Sequence, residues 1–269
     1  MNTNSKSYRR IDLHYILMQA GFWAMFASIC AYQAALLLER GFSNSHVGLI
    51  ISVRCLTGIF SQPLFGIFAD RHPKFPLKHL VSLSFLLSIG VSLALIFLPL
   101  GLGGTILVFA LIGAFETSAY PLIDTLAIQY INDGIPLHYS LGRGMGSIAY
   151  AFCCVFLGSL TAARGMESAL WVHAALVAVE AVIVATFPTH IPQRTDHRAE
   201  ADERPHAPLV LLRSHPRFSL MMAASLFSVF GVIALSNFLV NVTTAKGGDT
   251  QALGLGLFLM GAFELPTAF

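Results

Sequence analysis

The sequence predicts an all-α membrane protein. Three observations lead to that prediction: an apolar composition, a series of apolar runs long enough to cross a bilayer, and an uneven distribution of basic residues between the loops. Of the 269 residues, 55% are hydrophobic and 11% are charged, whereas a soluble domain carries roughly 25% charged residues. Because too few polar side chains are available to cover a globule in water, this composition excludes a soluble enzyme, a nucleic-acid-binding protein and a disordered chain. The net charge of +2 is too small to indicate an acidic partner.

Eight apolar runs predict eight membrane-spanning helices, because a helix needs roughly 20 residues to cross the hydrocarbon core. We number them spans 1 to 8; they cover residues 13–38, 47–69, 80–100, 105–131, 139–163, 168–187 and 218–244, and the eighth runs from residue 251 to residue 269. A polar stretch rich in Pro, His, Arg, Asp and Glu separates spans 6 and 7. The sequence therefore predicts a six-helix N-terminal transmembrane bundle over residues 1–187, a cytoplasmic linker over 188–217 and a partial C-terminal bundle over 218–269.

The basic residues predict the orientation of these helices. Eleven of the 16 Lys and Arg residues lie before span 1, between spans 2 and 3, or in the linker, and these three segments share one side of the membrane. Three lie on the opposite side and two lie within spans. Since basic residues concentrate in cytoplasmic loops, we expect an integral protein of the cell inner or plasma membrane whose N-terminus and linker face the cytoplasm.

Two loops share a sequence pattern at a constant offset of 206 residues. Residues 40–49, between spans 1 and 2, and residues 246–255, between spans 7 and 8, both contain a basic residue, a Gly, a helix-capping residue (Ser43 or Asp249), a second Gly and a Leu. Ser and Asp are favourable N-caps for the helix that follows. The offset is typical of a parallel repeat with six spans in each unit, of which the second is incomplete in this sequence.

Ionisable residues inside the predicted spans mark candidate functional positions, because each costs roughly 3 kcal/mol or more unless it faces protein or water and finds a partner. They are Arg54, Glu116, Asp124, Arg143, Glu180 and Glu264. A short loop joins span 4, with Asp124, to span 5, with Arg143 and Tyr150 on one stripe. We predict that Asp124 and Arg143 meet and face a polar ligand in a water-filled cavity. The alternative is an ion pair that only fixes the two helices.

We expect the other charged residues in the spans to make mainly structural contacts. Arg54 is a candidate partner for Glu116 or for Asp70. His173 and Glu180 lie seven residues apart on one face of span 6, and we interpret them as a buried pair rather than as a proton relay. These residues are therefore candidates for ion pairs within the membrane.

Glu264 on span 8 is a further candidate for ligand contact. Gly261 and Pro266 lie close to it in the sequence, and this combination favours a locally bent helix that lines a cavity. The four cysteines all lie in apolar runs and lack the spacing of zinc ligands. We therefore predict neither a metal site nor a cofactor.

The loop between spans 2 and 3 resembles a motif of the major facilitator superfamily. Gly66, Asp70, Arg71 and Lys74 match its Gly-x-x-x-Asp-Arg-x-x-Arg/Lys pattern, at the same place in the topology. The resemblance implies that these four residues belong to a cytoplasmic gate and do not bind substrate.

Three further patterns are similar to the lactose-permease branch of that superfamily, the oligosaccharide/proton symporters. They are the Pro-x-x-acid of span 4 that ends at Asp124, the Arg143 that is followed seven residues later by Tyr150, and the Gly-x-x-Glu of span 8 that ends at Glu264. Residues 142–150 look closer still to the phenylpropionate-permease and nucleoside-permease-like members.

The resemblance implies a twelve-span major facilitator fold, of which this chain holds the six-helix N-terminal bundle and the first two helices of the second bundle. It implies secondary active transport by alternating access, with proton symport of a small polar or aromatic solute such as a sugar, a nucleoside or an aromatic acid. In the sugar branch the residues at Asp124 and Arg143 hydrogen-bond the substrate and the residue at Tyr150 stacks on its ring, with Glu264 as a further contact. The branch has Glu and Trp where this chain has Asp124 and Tyr150, which argues against a galactoside.

Two other classes of function compete with transport. A membrane-embedded hydrolase or acyltransferase is disfavoured, because the sequence contains neither His-Glu-x-x-His nor Gly-x-Ser-x-Gly. A non-transporting sensor or scaffold on the same fold, or an inactive truncated transporter, is the alternative that stays open. Because the sequence ends within span 8, we expect either an N-terminal fragment or a truncated product that does not transport alone. The expected partners are a small-molecule solute, protons and the lipid bilayer, not nucleic acid.

Overall fold

The computed structural model describes residues 3–72, 74–189 and 212–268, with side chains described for residues 8–72, 74–189 and 212–263. Most of the linker expected at 188–217, and the side chain of Glu264, lie outside the described residues. Within the described residues every regular element is a helix, which confirms the all-α prediction.

The eight predicted spans correspond to eight helical units. Spans 1 to 3 are Thr3–Cys30 with the short helix Gln33–Glu39 after it, Asn44–Arg71, and Leu77–Phe97. Span 4 consists of Leu102–Ile112, a π-helical turn at Gly113–Thr117, and Ser118–Asn132. Spans 5 to 8 are Tyr139–Arg164, Glu167–Thr186, Pro216–Asn237 followed by the short helix Leu239–Ala245, and Thr250–Ala268. In the described part of the chain, seven units are long and apolar enough to cross a membrane, and the eighth is shorter over Thr250–Phe263.

The two loops that share a sequence pattern also share a local structure. Gly41 and Gly247 both have positive φ angles, +85° and +76°, a backbone region that Gly enters at no steric cost. Ser43 accepts a hydrogen bond from the His46 backbone N–H, and Asp249 accepts one from the Ala252 backbone N–H. Each loop therefore ends in the same capped start of the following span.

Span 1 and span 5 organise the packing of the bundle. Span 1 packs against spans 5 and 6 and touches span 4, while span 2 packs against span 4 and span 3 against span 6. Span 8 packs along span 5. In contrast, no residue of Pro216–Asn237 in span 7 is buried. Span 5 is thus the main contact between the first six spans and the last two.

The π-helical turn of span 4 ends four residues before Pro121. Pro121 has no backbone N–H, so it cannot donate the hydrogen bond that the Thr117 carbonyl would receive in an α-helix. That carbonyl instead accepts a hydrogen bond of 3.2 Å from the side chain of Gln62 on span 2. The neighbouring span therefore satisfies the backbone group that the proline leaves free.

Gly113 allows spans 2 and 4 to approach closely at this turn. A Cβ atom on Gly113 would overlap the main-chain oxygen of Arg54 and would lie 2.6 Å from Oγ1 of Thr57. The Thr57 hydroxyl donates to the Ala110 carbonyl at 2.9 Å and so ties the two spans together. The contact leaves no room for a side chain at position 113.

We expect the substitution Gly113→Ala to lower the free energy of unfolding by about 1–3 kcal/mol, the usual cost of overpacking. The main-chain oxygen of Arg54 cannot move away unless spans 2 and 4 separate. Gly90→Ala on span 3 is the matched control, since a Cβ there meets no heavy atom within 4 Å. Thermal unfolding of both variants in the same detergent tests the prediction, which fails if the two midpoints agree.

Candidate functional site

Asp124 and Arg143 lie next to each other on spans 4 and 5. Arg143 Nη1 is 3.9 Å from Asp124 Oδ2, and the two side chains are 32% and 17% exposed. Nη1 has no hydrogen-bond partner among the described residues. An ion pair of this length and accessibility contributes little to stability. The ion pair therefore contributes little to holding spans 4 and 5 together.

Gln19 of span 1 holds the Asp124 carboxylate from the other side. The Gln19 amide nitrogen donates to Asp124 Oδ1 at 3.0 Å and to the Tyr15 hydroxyl at 2.9 Å. Gln19 is fully buried. Three spans thus meet at one carboxylate, and span 1 supplies a residue that the sequence reasoning missed.

Aromatic rings surround the Arg143 guanidinium. Its carbon Cζ lies 5.2 Å from the ring centroid of Trp23 and 5.0 Å from that of Tyr120, within the range of cation–π attraction. Tyr150 meets Trp23 edge to face at 6.3 Å. A Cβ on Gly146 would overlap the Trp23 ring, so the small residue beside Arg143 makes room for the indole. The site therefore presents both a charge pair and flat apolar surfaces.

A cavity of about 280 Å³ opens onto this group between the first six spans and the last two. Arg143 and Tyr150 line it, together with Trp23, whose indole N–H has no hydrogen-bond partner among the described residues. Spans 7 and 8 contribute the opposite wall through Val232, Ser236, Leu257, Met260 and Gly261. Of the predicted residues, Arg143 and Tyr150 therefore share the cavity, and Asp124 adjoins it through Arg143 without lining it. The Glu264 side chain lies outside the described residues.

Glu116 and His173 form a second, fully buried cluster that joins four spans. His173 Nε2 lies 3.2 Å from Glu116 Oε1, and both side chains are completely buried. Ser28 of span 1 contacts His173 Nδ1 at 3.0 Å, and Ser88 of span 3 donates a hydrogen bond to Glu116. The cluster links spans 1, 3, 4 and 6 away from the Asp124 carboxylate.

The expected pair between His173 and Glu180 is wrong. Seven residues on one helix face correspond to two turns, about 10 Å along the axis, which is too far for contact. Glu180 is fully buried, and neither carboxyl oxygen has a hydrogen-bond partner among the described residues. Its carboxyl group lies against Gly21 of span 1, where a Cβ would overlap it.

Arg54 forms neither of the expected ion pairs. Its Nη1 donates to the Gln33 side-chain oxygen at 3.1 Å, and its Nη2 contacts Cys30 Sγ at 2.6 Å. Asp70 is four and a half turns away on the same helix, so a direct contact is excluded by geometry. Glu116 is committed to His173 and Ser88, and within the described chain no carboxylate reaches the Arg54 guanidinium within 4.0 Å.

The loop motif lies apart from both clusters, at the end of span 2. Asp70, Arg71 and Lys74 are exposed, and Gly66 is half-buried in the last turns of the helix. A Cβ on Gly66 would meet no heavy atom within 4 Å. The motif therefore lies at a helix end and not at the cavity.

Gln19 offers a test of the geometry around Asp124. We expect Gln19→Glu, which keeps the side-chain shape, to lower the unfolding midpoint more than Gln19→Leu, because it places a second carboxylate about 3 Å from Asp124. Gln19→Leu removes only the hydrogen bond, at a cost of about 1–3 kcal/mol. Thermal unfolding at neutral pH measures both. A Gln19→Glu protein as stable as the unsubstituted protein would contradict the contact.

A family model described as the MFS_1 like family matches residues 8–267 of this chain. Maltose permease from Geobacillus stearothermophilus is 25% identical over 259 residues, which cover 94% of this chain and 61% of that protein. The chain therefore spans less than two thirds of the length of this relative.

Solved structures show the same architecture. The crystal structure of the nucleoside transporter NupG superposes with a TM-score of 0.64 at 17% identity, and the match covers 86% of this chain and 57% of NupG. A crystal structure of a point mutant of NupG gives a TM-score of 0.70 at 15% identity, covering 93% of this chain and 64% of the other. The expected major facilitator fold is thereby confirmed. Since the family match covers nearly the whole sequence, the chain belongs to the MFS_1 like family of the major facilitator transporters.

Proposed function

We propose that the protein is a secondary active transporter, in which two bundles rock about a solute site near the middle of the membrane. The observation that carries this proposal is the cavity lined by Arg143, the partner of Asp124, which lies between the first six spans and spans 7 and 8. A charge pair is tolerated inside a membrane where it borders protein or water. Major facilitator proteins place their solute between the two bundles.

The side chains around the cavity suit a small polar or aromatic solute. Asp124 accepts hydrogen bonds from hydroxyl or ring N–H groups, and Arg143 donates to solute oxygens. Trp23 and Tyr150 offer aromatic faces to a ring. The names of the relatives, a maltose permease and a nucleoside transporter, support a sugar or a nucleoside, and an aromatic acid fits the same groups. Glu264 is proposed as a further contact from span 8.

Proton coupling is part of the proposal and is supported by the buried acidic groups. An ionised carboxylate without a partner is costly in an apolar interior. Glu180 has no hydrogen-bond partner among the described residues, and Glu116 shares its surroundings with His173. These groups can therefore exchange protons when the bundles move. We place the N-terminus and the linker in the cytoplasm, where Gly66, Asp70, Arg71 and Lys74 would form part of the gate.

One alternative is a protein that has the same binding site but does not transport. The chain spans 61% of the maltose permease, so a protein that binds a solute as a sensor or scaffold, or an inactive truncated transporter, would have the same cavity. Binding and accumulation must therefore be measured separately.

We expect Arg143→Ala to abolish solute binding and uptake while leaving expression intact, because it removes the donor that faces the cavity. Uptake of labelled sugars, nucleosides and aromatic acids is measured in cells that express the protein at its full encoded length, with and without a protonophore. The protonophore should prevent accumulation of the transported solute.

Arg164→Ala is the matched control for this experiment, since Arg164 ends span 5 at the surface and does not line the cavity. Uptake that survives Arg143→Ala would count against the assignment of the site. Binding without accumulation would favour the sensor or truncated form. Accumulation that persists with the protonophore would contradict the proposed proton coupling.

A further inference from the structure

We propose that Arg54 forms a second subsite of the solute cavity that binds a carboxylate, so that the natural solute is an organic acid anion. This inference rests on the proposed function and deepens it by naming the chemical class of the solute. It selects among the sugars, nucleosides and acids that the Asp124–Arg143 pair alone would accept.

The Arg54 subsite has a cavity of its own that adjoins the first one. Its volume is about 330 Å³, and Arg54, Gln33 and Gln62 contribute polar side chains to its wall. Tyr150 and Ser236 line both this cavity and the one at Arg143, as does Phe26. The proposed solute spans this shared boundary between the two cavities.

The guanidinium of Arg54 is poorly satisfied by the protein. Arg54 is only 5% exposed, yet its Nε has no hydrogen-bond partner among the described residues. One of its five N–H groups meets the oxygen of Gln33, and another meets the sulfur of Cys30. A thiol sulfur is a weak acceptor. The charged group thus has a single good acceptor where a buried guanidinium normally has several.

The carboxylates that the structure describes near the cavity are already engaged elsewhere. Asp124 faces Arg143 and accepts from Gln19, so that pair is neutral as a whole. Glu116 lies close enough to Arg54 for an electrostatic interaction, but its nearest contacts are Ser88 and His173. Arg54 therefore lacks a direct counter-ion in the described part of the chain.

The Glu116–His173 pair does not cancel the charge of Arg54. Ser28 donates its hydroxyl hydrogen to the Met25 carbonyl at 2.6 Å, so it accepts a hydrogen bond from His173 Nδ1 at 3.0 Å. His173 Nε2 lies 3.2 Å from a Glu116 oxygen, outside hydrogen-bond geometry among the described residues. We assign a proton to this contact, because two facing lone pairs would repel each other. With that proton the pair is neutral, and the three side chains Arg54, Glu116 and His173 together carry one positive charge.

A solute with a single negative charge would neutralise the net positive charge of these three side chains. An uncompensated guanidinium in the membrane interior is stabilised by a carboxylate, with which it forms short charge-assisted hydrogen bonds. A carboxylate neutralises the single positive charge, whereas a phosphate monoester carries about 1.5 to 2 negative charges and would leave an excess. A neutral sugar would leave the positive charge of Arg54 uncompensated.

The aromatic residues between the two arginines fix how such a solute would lie. Arg143 Cζ is 5.2 Å from the Trp23 ring, Trp23 and Phe26 are 5.7 Å apart, and Arg54 Cζ is 5.5 Å from the Phe26 ring. A continuous wall of two aromatic rings thus links the two guanidinium groups. In the proposed pose a ring lies against this wall, with its carboxylate at Arg54 and a hydroxyl group at Arg143.

The test compares an acid with its neutral analogue on the same ring. The probes are 4-hydroxybenzoate against 4-hydroxybenzamide, and glucuronate against glucose. Their binding is followed by the fluorescence of Trp23 in protein reconstituted in lipid nanodiscs. The substitution Trp171→Phe removes the other of the two tryptophans, which is half-exposed on span 6.

We expect the acid to bind about tenfold tighter or more than its neutral partner in at least one pair, as for a hydrogen bond to a charged group. Arg54→Gln should remove this preference: it should weaken the binding of the acid and change the Kd of the neutral analogue by no more than about threefold. Arg54→Lys should keep part of it, and Arg164→Gln, which removes a surface charge from span 5, should leave it unchanged.

Equal binding of acid and neutral analogue in both pairs, or a preference that persists in Arg54→Gln, would overturn the subsite. The comparison within the unsubstituted protein decides the question even if the Arg54 variants do not fold. Binding of the neutral probes alone would refute the anion subsite and leave the proposed transporter intact. Failure of all four probes would count against the proposed solute cavity and the subsite together.

Discussion

The structure depends on one constraint, which is that a polar group inside the membrane must find its partner within the protein because lipid offers none. Span 1 and the short helix after it supply several of these partners. Gln19 binds Asp124, Ser28 contacts His173, and Gln33 accepts from Arg54. All three are neutral, buried residues of the first span or of the short helix that continues it. The ionisable groups of spans 2, 4 and 6 are thereby held against a common helix.

Small residues let the backbones come close enough for these contacts. Gly142 and Gly146 face Tyr15 and Trp23, Gly21 faces Glu180, and Gly113 meets the backbone at Arg54. Without a hydrophobic force between helices in lipid, such close packing supplies much of the association energy. The glycines around Arg143 therefore have two roles: they allow the helices to pack closely, and they leave room for Trp23 beside the guanidinium.

The sequence was sufficient to predict the spans and the meeting of Asp124 with Arg143, because a short loop forces spans 4 and 5 to be antiparallel neighbours. It was not sufficient for contacts between helices that are distant in the chain. The partner of Glu116 is His173 on span 6, and the partner of Arg54 is Gln33, a neutral amide that carries no signal of insertion cost. Periodicity alone also suggested a pair at His173 and Glu180, where the distance along the helix excludes it.

The contacts of the last two spans differ in a way that limits how the cavity can open. Span 7 reaches the first bundle through amide hydrogen bonds, from Gln33 to Asn237 and from Asn241 to Asn44. Span 8 is instead packed backbone to backbone on span 5, where a methyl group on Gly158 would lie 2.8 Å from the Thr250 main-chain oxygen. This contact is at the start of span 8, the end that carries the capped loops, and the cavity lies beyond it. If the proposed transport opens the cavity toward these loops, spans 5 and 8 must separate there, whereas span 7 need only exchange its amide hydrogen bonds and the packing of Leu239 and Val240.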